Sequence, residues 1–540
     1  MQVLKFGGSS VANAENIKKV MAVLKNSAAD KKTIVVVSAL GGITDLLIHC
    51  SQLASEGQEN YNSILADIEQ RHLQTVRDLI PINNQSALLS MVKTLCNEME
   101  DICNGIFLLG ELSARTKDRM VSYGELLSSK IIAAALTAEN LPALWVDSRA
   151  LIITNSEFGN ASVNFPHTNK LIQAYFSQSN EMLFVAPGFI ASNEQGTNTT
   201  LGRGGSDYTA AIFAAACNAA VLEIWTDVSG MMTADPRLVP NARIIPEITY
   251  QEAMELSHFG AKVIYPPTIQ PVMNKGIPVW IKNTFEPNDN GTIIQELVSE
   301  SHNSITGISS ISGIALLSLE GSGMVGIPGF SKRLFEALAS NKINVILITQ
   351  SSSEHSICVG IEEKNAISAK KCIDEAFSYE IDMKKVEPLL VEKNLSIIAL
   401  VGDRMKNHTG ISGKFFSSLG RNGVNIRAIA QGSSERNITA VIGSDDVKKS
   451  TNTVHEAFFE KEIKELNVFI AGVGNVGAKL LDQILQQQDY LLHHMHLKIK
   501  VVGIANSKKY WVDEEGIKLK NWKTLLDSGI SANIHDYIEV

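Results

Sequence analysis

From residue 1 to about residue 285, short apolar runs alternate with longer stretches of helical spacing. Thr33–Ala39, Ala143–Val146, Met182–Ala186 and Leu222–Thr226 have the length of strands, while Asn13 to Lys25 and Ala210 to Ala216 have the look of helices. This alternation predicts an α/β fold, a sheet covered by helices. Ligands in such folds gather at the carboxyl ends of strands. The marked turns fall there: Gly7-Gly8 after the first strand, Ser38 to Thr44 after the second, and Thr226-Asp227 after Ala220–Trp225. Residues 285–292 (FEPNDNGT) then read as a linker, rich in Pro, Asn, Asp and Gly.

Beyond the linker the pattern repeats itself. Asn344-Val-Ile-Leu-Ile-Thr-Gln-Ser-Ser-Ser-Glu354 aligns with Asn425-Ile-Arg-Ala-Ile-Ala-Gln-Gly-Ser-Ser-Glu435 at an offset of 81 residues. Each copy reads strand, helix, strand, strand, helix, which predicts two βαββαβ units packed as a pseudo-symmetric pair. The matched Asn344, Gln350, Asn425 and Gln431 suggest matched polar pockets, although such side chains also satisfy turn backbone. A third block opens near Asn467. There Val468-Phe-Ile-Ala-Gly-Val-Gly-Asn-Val-Gly477 runs from a strand into Gly-x-Gly-x-x-Gly, a helix and a second strand, Lys498 to Ala505. Gly472, Gly474 and Gly477 thus have the context of a dinucleotide-binding turn. The acid expected after the second strand is missing. Asn506-Ser-Lys-Lys509 stands in its place and suits a 2′-phosphate better than a free ribose hydroxyl.

Composition narrows the class. At 540 residues the chain holds about three or four domains. With 45% hydrophobic and 19% charged residues it is an ordinary globular protein, and a net charge of −9 argues against a general nucleic-acid binder. Cys50, Cys96, Cys103, Cys217, Cys358 and Cys372 show no metal-ligand spacing, so neither a zinc site nor a disulfide framework is expected. No cleavable leader and no membrane-length apolar run is read, which leaves the cytoplasm as the expected compartment.

The candidate chemistry lies in two glycine turns. Thr200-Leu-Gly-Arg-Gly-Gly-Ser-Asp-Tyr-Thr-Ala210 places Gly202, Gly204 and Gly205 ahead of an apolar helix. Such a start offers unpaired N–H groups and the positive end of the helix dipole to an anion. Arg203 adds a planar fork for a carboxylate or phosphate. The opening Met1-Gln-Val-Leu-Lys-Phe-Gly-Gly-Ser-Ser10 sends a strand into a glycine pair, with Lys5 at the strand end. It is not a Walker A loop. Taken alone, it is either a cradle with a cation aimed into it or a strand-to-helix turn with a solvated lysine.

Together with Val37-Ser-Ala-Leu-Gly-Gly-Ile-Thr-Asp45, Ser122-Tyr-Gly-Glu125 and Trp225-Thr-Asp-Val-Ser-Gly230, these segments resemble the aspartate kinases. The repeat resembles that family's ACT regulatory domains, and the last block resembles the start of a homoserine dehydrogenase. The resemblance implies an amino-acid-kinase sandwich over residues 1–290 and two ACT-type units over 291–392 and 393–465. Residues 466–540 then form a partial NAD(P)-binding Rossmann segment. The chain as a whole resembles the first two-thirds of a bifunctional aspartokinase–homoserine dehydrogenase, cut inside the second enzyme, so no dehydrogenase activity is expected of it.

The implied reaction transfers the γ-phosphate of ATP, with Mg²⁺, to the side-chain carboxylate of L-aspartate. It rests on alignment and charge neutralisation rather than on a strong base. By resemblance, Lys5 is the main cation at the moving phosphate, assisted by Gly7, Gly8 and Ser9, and Asp207 orients Lys5 or a Mg²⁺-bound water. Aspartate falls to Ser38, Thr44, Glu125, Arg203 and Ser206, with Arg203 on a carboxylate and Glu125 on the ammonium. The nucleotide falls to Thr226, Asp227, Gly230, Asp235, Arg237 and Lys262. Gln350 and Gln431 resemble the threonine-responsive branch, and association of chains through the ACT units is expected. Ser229 and Tyr265-Pro-Pro267 depart from the usual strings, Trp-Thr-Asp-Val-Asp-Gly and His-Pro-Arg. The competing readings are another amino-acid or nucleotide kinase of this fold, a non-catalytic amino-acid sensor, and an NADP-dependent dehydrogenase.

Overall fold

The computed structural model describes every residue except 28–30, 261–262, 299–303, 351–354, 433–435, 461–463, 496 and 532–540. It divides into two compact units, Met1–Ala457 and Phe458–Val540.

The first unit opens with an eight-stranded sheet. Its order is Leu144–Trp145, Leu183–Pro187, Thr33–Val37, Gln2–Phe6, Leu222–Thr226, Val279–Asn283, Thr292–Gln295 and Glu247–Thr249. Every neighbouring pair is parallel except Val279–Asn283 with Thr292–Gln295. The central strands are buried along their whole length, which is why they read as unbroken apolar runs rather than as alternation. Alternate side chains feed two cores. Val3, Ile34 and Val36 pack with Ala210–Ala214 of the helix Gly205–Ala216, whereas Leu4, Phe6, Val35 and Val37 pack under the helices Ala14–Ser27, Ile43–Ser55 and Ala114–Ala138. Lys5 shares the parity of Val3, so it points toward the helix that carries Asp207.

The repeat folds into a single six-stranded antiparallel sheet. Its order is Val345–Gln350, Ser356–Glu362, Gly307–Glu320, Leu390–Val401, Asn437–Gly443 and Ile426–Gln431. Each copy supplies three strands of its own, not the four of a free-standing βαββαβ unit. The strand Gly307–Glu320 runs beside Leu390–Val401, so the first strand of each copy closes the sheet of the other. The boundary expected at residue 392 therefore falls inside one continuous strand. The sheet curls until its two edge strands, Val345–Gln350 and Ile426–Gln431, approach each other. Ala315, Leu317 and Leu319 pack under the helices of the first copy. Ile314 and Leu316, on the opposite face, join the apolar cluster that also holds Tyr250, Ala253 and Leu256 of the kinase-like part.

That joint is specific as well as apolar. The helix Tyr250–His258 begins with a capping box between Thr249 and Glu252. One Glu252 oxygen accepts from Thr249 N and Oγ1 at 3.1 and 3.0 Å. The other accepts from Asp403 N at 2.9 Å and from the Thr306 hydroxyl. Asn437 Nδ2 donates to Glu255 at 2.7 Å, and Thr233 Oγ1 lies 2.9 Å from the buried His455 Nε2.

In the second unit the strands Lys464–Ala471 and Leu497–Ala505 are parallel and are joined through the helix Asn475–Met495. Two short antiparallel strands, Lys509–Val512 and Ile530–Ser531, extend the sheet on one side.

Candidate active site

A cavity of about 350 Å³ opens at the carboxyl ends of the central strands. Its walls are Lys5 and Gly8 from the first turn, Ser38 to Gly42 with Thr44 and Asp45 from the second, Glu125, Phe189, and Gly202 with Gly204 to Asp207 from the third. Three motifs scattered over 200 residues of sequence meet here because the strands Gln2–Phe6 and Thr33–Val37 are neighbours in register, Phe6 opposite Val37.

Lys5 is 8% exposed, and its Nζ lies 2.6 Å from Asp207 Oδ1. The pair follows from strand parity below and from the first turn of the helix Gly205–Ala216 above. Gly204 caps that helix at φ 69°, a left-handed conformation that disfavours a β-carbon. Gly7 keeps the turn open beside Lys5, since a β-carbon there would stand 3.4 Å from Lys5 Nζ. Its N–H donates to Trp225 O at 3.1 Å, tying the first turn to the adjacent strand. Ser9 contributes its carbonyl to Asn16 Nδ2 at 2.8 Å and is not on the cavity wall.

Glu125 sits in the middle of the long helix Ala114–Ala138 and is 3% exposed. One oxygen accepts from Ala39 N at 3.2 Å, and the other is buried with no hydrogen-bond partner. Burial pushes its pKa up to about 8, against the smaller opposing effect of the Ala39 N–H. The carboxyl lines the cavity, and its burial favours the neutral form. Its approach depends on Gly124, where a β-carbon would stand 2.8 Å from the Ala39 β-carbon. Ser128 Oγ donates to Ser38 O at 2.7 Å and Arg71 Nη2 to Gly41 O at 2.8 Å, which fixes the second turn from both sides.

Of the residues expected to hold aspartate, Ser38, Thr44, Glu125 and Ser206 line the cavity and Arg203 does not. It is exposed, with its guanidinium carbon 5.4 Å from the centre of the Tyr265 ring. Gly202 and Gly204 flank it at φ 72° and 69°, and this double left-handed turn leaves the intervening side chain on the rim.

None of the nucleotide candidates among the described residues lines the cavity. Thr226 ends the strand next to the opening one, and its Oγ1 donates to Asp227 Oδ1 at 3.0 Å. Asp235 and Arg237 are bonded to each other at 2.6 Å, with Arg237 83% exposed. The Arg237 guanidinium holds the Asp235 carboxyl below the usual range. Gly230, at φ 142°, packs against Thr292 Oγ1 and so has a packing reason of its own. Lys262 lies outside the described residues.

Sequence reasoning passed over Asp118. This buried carboxylate accepts from Gly159 N at 2.9 Å, Thr200 N at 2.9 Å and Thr200 Oγ1 at 3.0 Å, and so anchors the glycine turn from behind. Burial raises its pKa against those bonds. An acid near the start of a long helix carries no signal of that task.

The matched Gln350 and Gln431 occupy equivalent places, opposite Ile357 and Ile438 on the two edge strands. Both are exposed, as are Asn344 and Asn425, rather than enclosed in pockets of their own. Gln431 Oε1 accepts from Ser412 Oγ at 3.4 Å. The remainder of each Gln-x-Ser-Ser-Glu run, 351–354 and 433–435, lies outside the described residues.

In the second unit, Gly472 N and Val473 N both donate to Ala505 O, at 2.8 and 2.9 Å. A β-carbon at Gly477 would stand 2.3 Å from Gly472 O. After the second strand, Asn506 Oδ1 accepts from Lys508 N and Lys509 N, and Lys509 Nζ donates to Asp527 O.

A buried lysine–carboxylate pair, a half-paired buried acid and glycine turns at the strand ends thus share one cavity on an α/β sheet. The amino acid kinase family model matches residues 1–283, and the ACT domain model matches 317–377 and 398–458. The chain belongs to the amino acid kinase family. Within that family it groups with the aspartokinases. It is 31% identical to Aspartokinase 3, chloroplastic, of Arabidopsis thaliana, over 86% of this chain and 82% of that protein. It is 37% identical to the bifunctional aspartokinase/homoserine dehydrogenase of Haemophilus influenzae over its full length, and 35% identical to the Arabidopsis bifunctional enzyme 1. It spans 66% and 60% of those two proteins. Among solved structures, E. coli aspartokinase III in complex with aspartate and ADP aligns over 85% of this chain and all of that one. Its TM-score is 0.72 at 30% identity. Clostridium acetobutylicum aspartate kinase gives the same values. Among the described residues, no helix is long and apolar enough to cross a membrane.

Proposed function

We propose that the first unit phosphorylates the side-chain carboxylate of L-aspartate from ATP, giving 4-phospho-L-aspartate and ADP. The observation that carries this reading is Glu125, a buried carboxyl with one bare oxygen, in the same 350 Å³ cavity as the Lys5–Asp207 pair. An amino acid supplies what the cavity needs. Its ammonium meets Glu125, and its side-chain carboxylate is directed toward Lys5. The co-complex of E. coli aspartokinase III with aspartate and ADP supports the same pair of ligands.

The attacking carboxylate needs no deprotonation at neutral pH, so the site works by alignment and neutralisation. Lys5, held by Asp207, reaches the developing charge on the transferred phosphoryl group. Ser38, Thr44 and Ser206 offer hydroxyls to the amino acid, and Arg203, at the rim, offers the edge of its guanidinium to the α-carboxylate. Thr226, Asp227 and the Asp235–Arg237 pair flank the nucleotide, with Lys262 a further phosphate cation. No group of three or more metal-ligating side chains is assembled among the described residues. Mg²⁺ would be carried on the phosphates of ATP, where it would offset part of their charge.

The regulatory sheet is read as a threonine sensor acting through Gln350 and Gln431, whose amides match a hydroxyl better than an ammonium. Chains are expected to associate through this block. In the second unit the glycine turn is read as a pyrophosphate seat for NADP or NAD, with Lys508 nearest a 2′-phosphate. A coupled assay for aspartate- and Mg²⁺ATP-dependent acyl phosphate, with and without L-threonine or L-lysine, tests the reading. Turnover suppressed by threonine is expected. Turnover with another amino acid but not aspartate would overturn the substrate assignment, and inhibition by lysine alone would overturn the effector assignment.

A further inference from the structure

We infer that Tyr265 is a positioning residue for aspartate binding, an aromatic platform that holds Arg203 at the mouth of the cavity. The inference rests on the assignment of Arg203 to the substrate. The guanidinium carbon lies 5.4 Å from the ring centre, within the range of a cation–π contact. The backbone is packed around that contact. At Gly204 a β-carbon would stand 3.0 Å from both Tyr265 Cβ and Thr268 Cγ2, so the glycine turn rests directly on the Tyr265 turn.

That turn is itself stiff. Tyr265 O accepts from Thr268 N at 2.9 Å and from Thr268 Oγ1 at 2.6 Å, and Pro266 and Pro267 fix the backbone that follows. A long, solvated arginine flanked by two left-handed glycines would otherwise sample many rotamers, and ordering it would weaken substrate binding. Kept on the Tyr265 face, it presents the free edge of its guanidinium to a carboxylate at the mouth of the cavity that Gly202, Gly204 and Gly205 line. Arginine is the cation suited to this arrangement because its planar face stacks while its edge still donates to a carboxylate.

The test is a double-mutant cycle on the full chain, reading KM for aspartate and kcat. Tyr265→Ala is expected to raise KM about 2- to 5-fold, the span of a cation–π contact at an exposed site, with a smaller change in kcat. Tyr265→Phe should restore most of the affinity, and Tyr265→Leu, which fills space without a π face, should not. In an Arg203→Ala background, Tyr265→Ala should change KM little further. Equal rescue by Leu and Phe, or an undiminished effect of Tyr265→Ala without Arg203, would show packing alone and overturn the inference. If Arg203→Ala raises KM while Tyr265→Ala does not, the platform fails and the substrate role of Arg203 stands. If Arg203→Ala leaves KM for aspartate unchanged, both fall.

Discussion

A buried carboxyl with a pKa of about 8 is mostly protonated at neutral pH, yet it must be charged to hold an ammonium. At pH 7 only about one-tenth of the free protein has Glu125 ionised, so binding aspartate must expel a proton from the rest. The apparent affinity is then reduced by the competent fraction. Between pH 6 and pH 8 that fraction grows about 50-fold, and KM for aspartate should fall by a similar factor and level off above pH 8. Glu125→Gln should abolish the trend. Loss of one partner of a buried charged pair costs about 2–5 kcal/mol, but at pH 7 the wild type already spends about 1.4 kcal/mol on ionising Glu125. The variant should therefore bind about 0.6–3.6 kcal/mol more weakly at pH 7, with the gap widening toward pH 8.

Stability moves the other way. With a folded pKa of about 8 against an ordinary 4.5, the protonated acid is the form the fold prefers. Stability is unaffected below pH 4.5 and is lost as pH rises toward 8, so unliganded Glu125→Gln should gain on the wild type across that window. Initial rates across pH 6–8.5 and urea melts of the unliganded protein measure the two effects. A flat KM profile in the wild type, or a Gln variant that loses stability relative to it as pH rises, would refute the picture of a neutral acid ionised by its substrate.

Other outcomes follow from the same geometry. Lys5→Ala should lower kcat about 10²- to 10³-fold in steady-state assays while KM for aspartate moves far less, because Lys5 serves the transferring group. Gly124→Ala should reverse the usual helix preference. Alanine mid-helix normally gains up to about 1 kcal/mol, but here the new methyl meets Ala39 at 2.8 Å, so thermal melts should show a loss of about 1–3 kcal/mol and KM for aspartate should rise. Glu252→Ala strands the Asp403 N–H at the joint between kinase and regulatory parts. Denaturant unfolding should show a loss of about 2–4 kcal/mol, and any response of turnover to threonine should weaken more than turnover itself.

Much of the architecture was legible because buried parallel strands print unbroken apolar runs, and because glycine marks the turns at their ends. The meeting of Lys5 with Asp207 was within reach of the sequence, since strand parity and a helix first turn dictate it. The outward stance of Arg203 was not. It depends on two left-handed glycines and on Tyr265, whose contact with residue 203 spans 62 positions that no local pattern links. Glu125 was visible as an acid, but its bare oxygen and neutral state depend on what surrounds it in three dimensions. The duplication was plain at an offset of 81 residues. Its shared sheet was hidden, because the alignment of two copies shows that they are alike and cannot show which strand of one lies beside which strand of the other.

That sharing has a consequence for how the regulatory part behaves. Because Gly307–Glu320 and Leu390–Val401 each complete the other's half, neither half has a full complement of backbone partners alone. Cutting between the copies would expose a bare strand edge on both pieces, a template for aggregation rather than two small domains. The duplicated block is therefore one mechanical body with two similar faces. A ligand that shifted one outer strand would act on a ladder of hydrogen bonds that continues, through bulges near Ser312 and Ile314, to the other outer strand of the same chain.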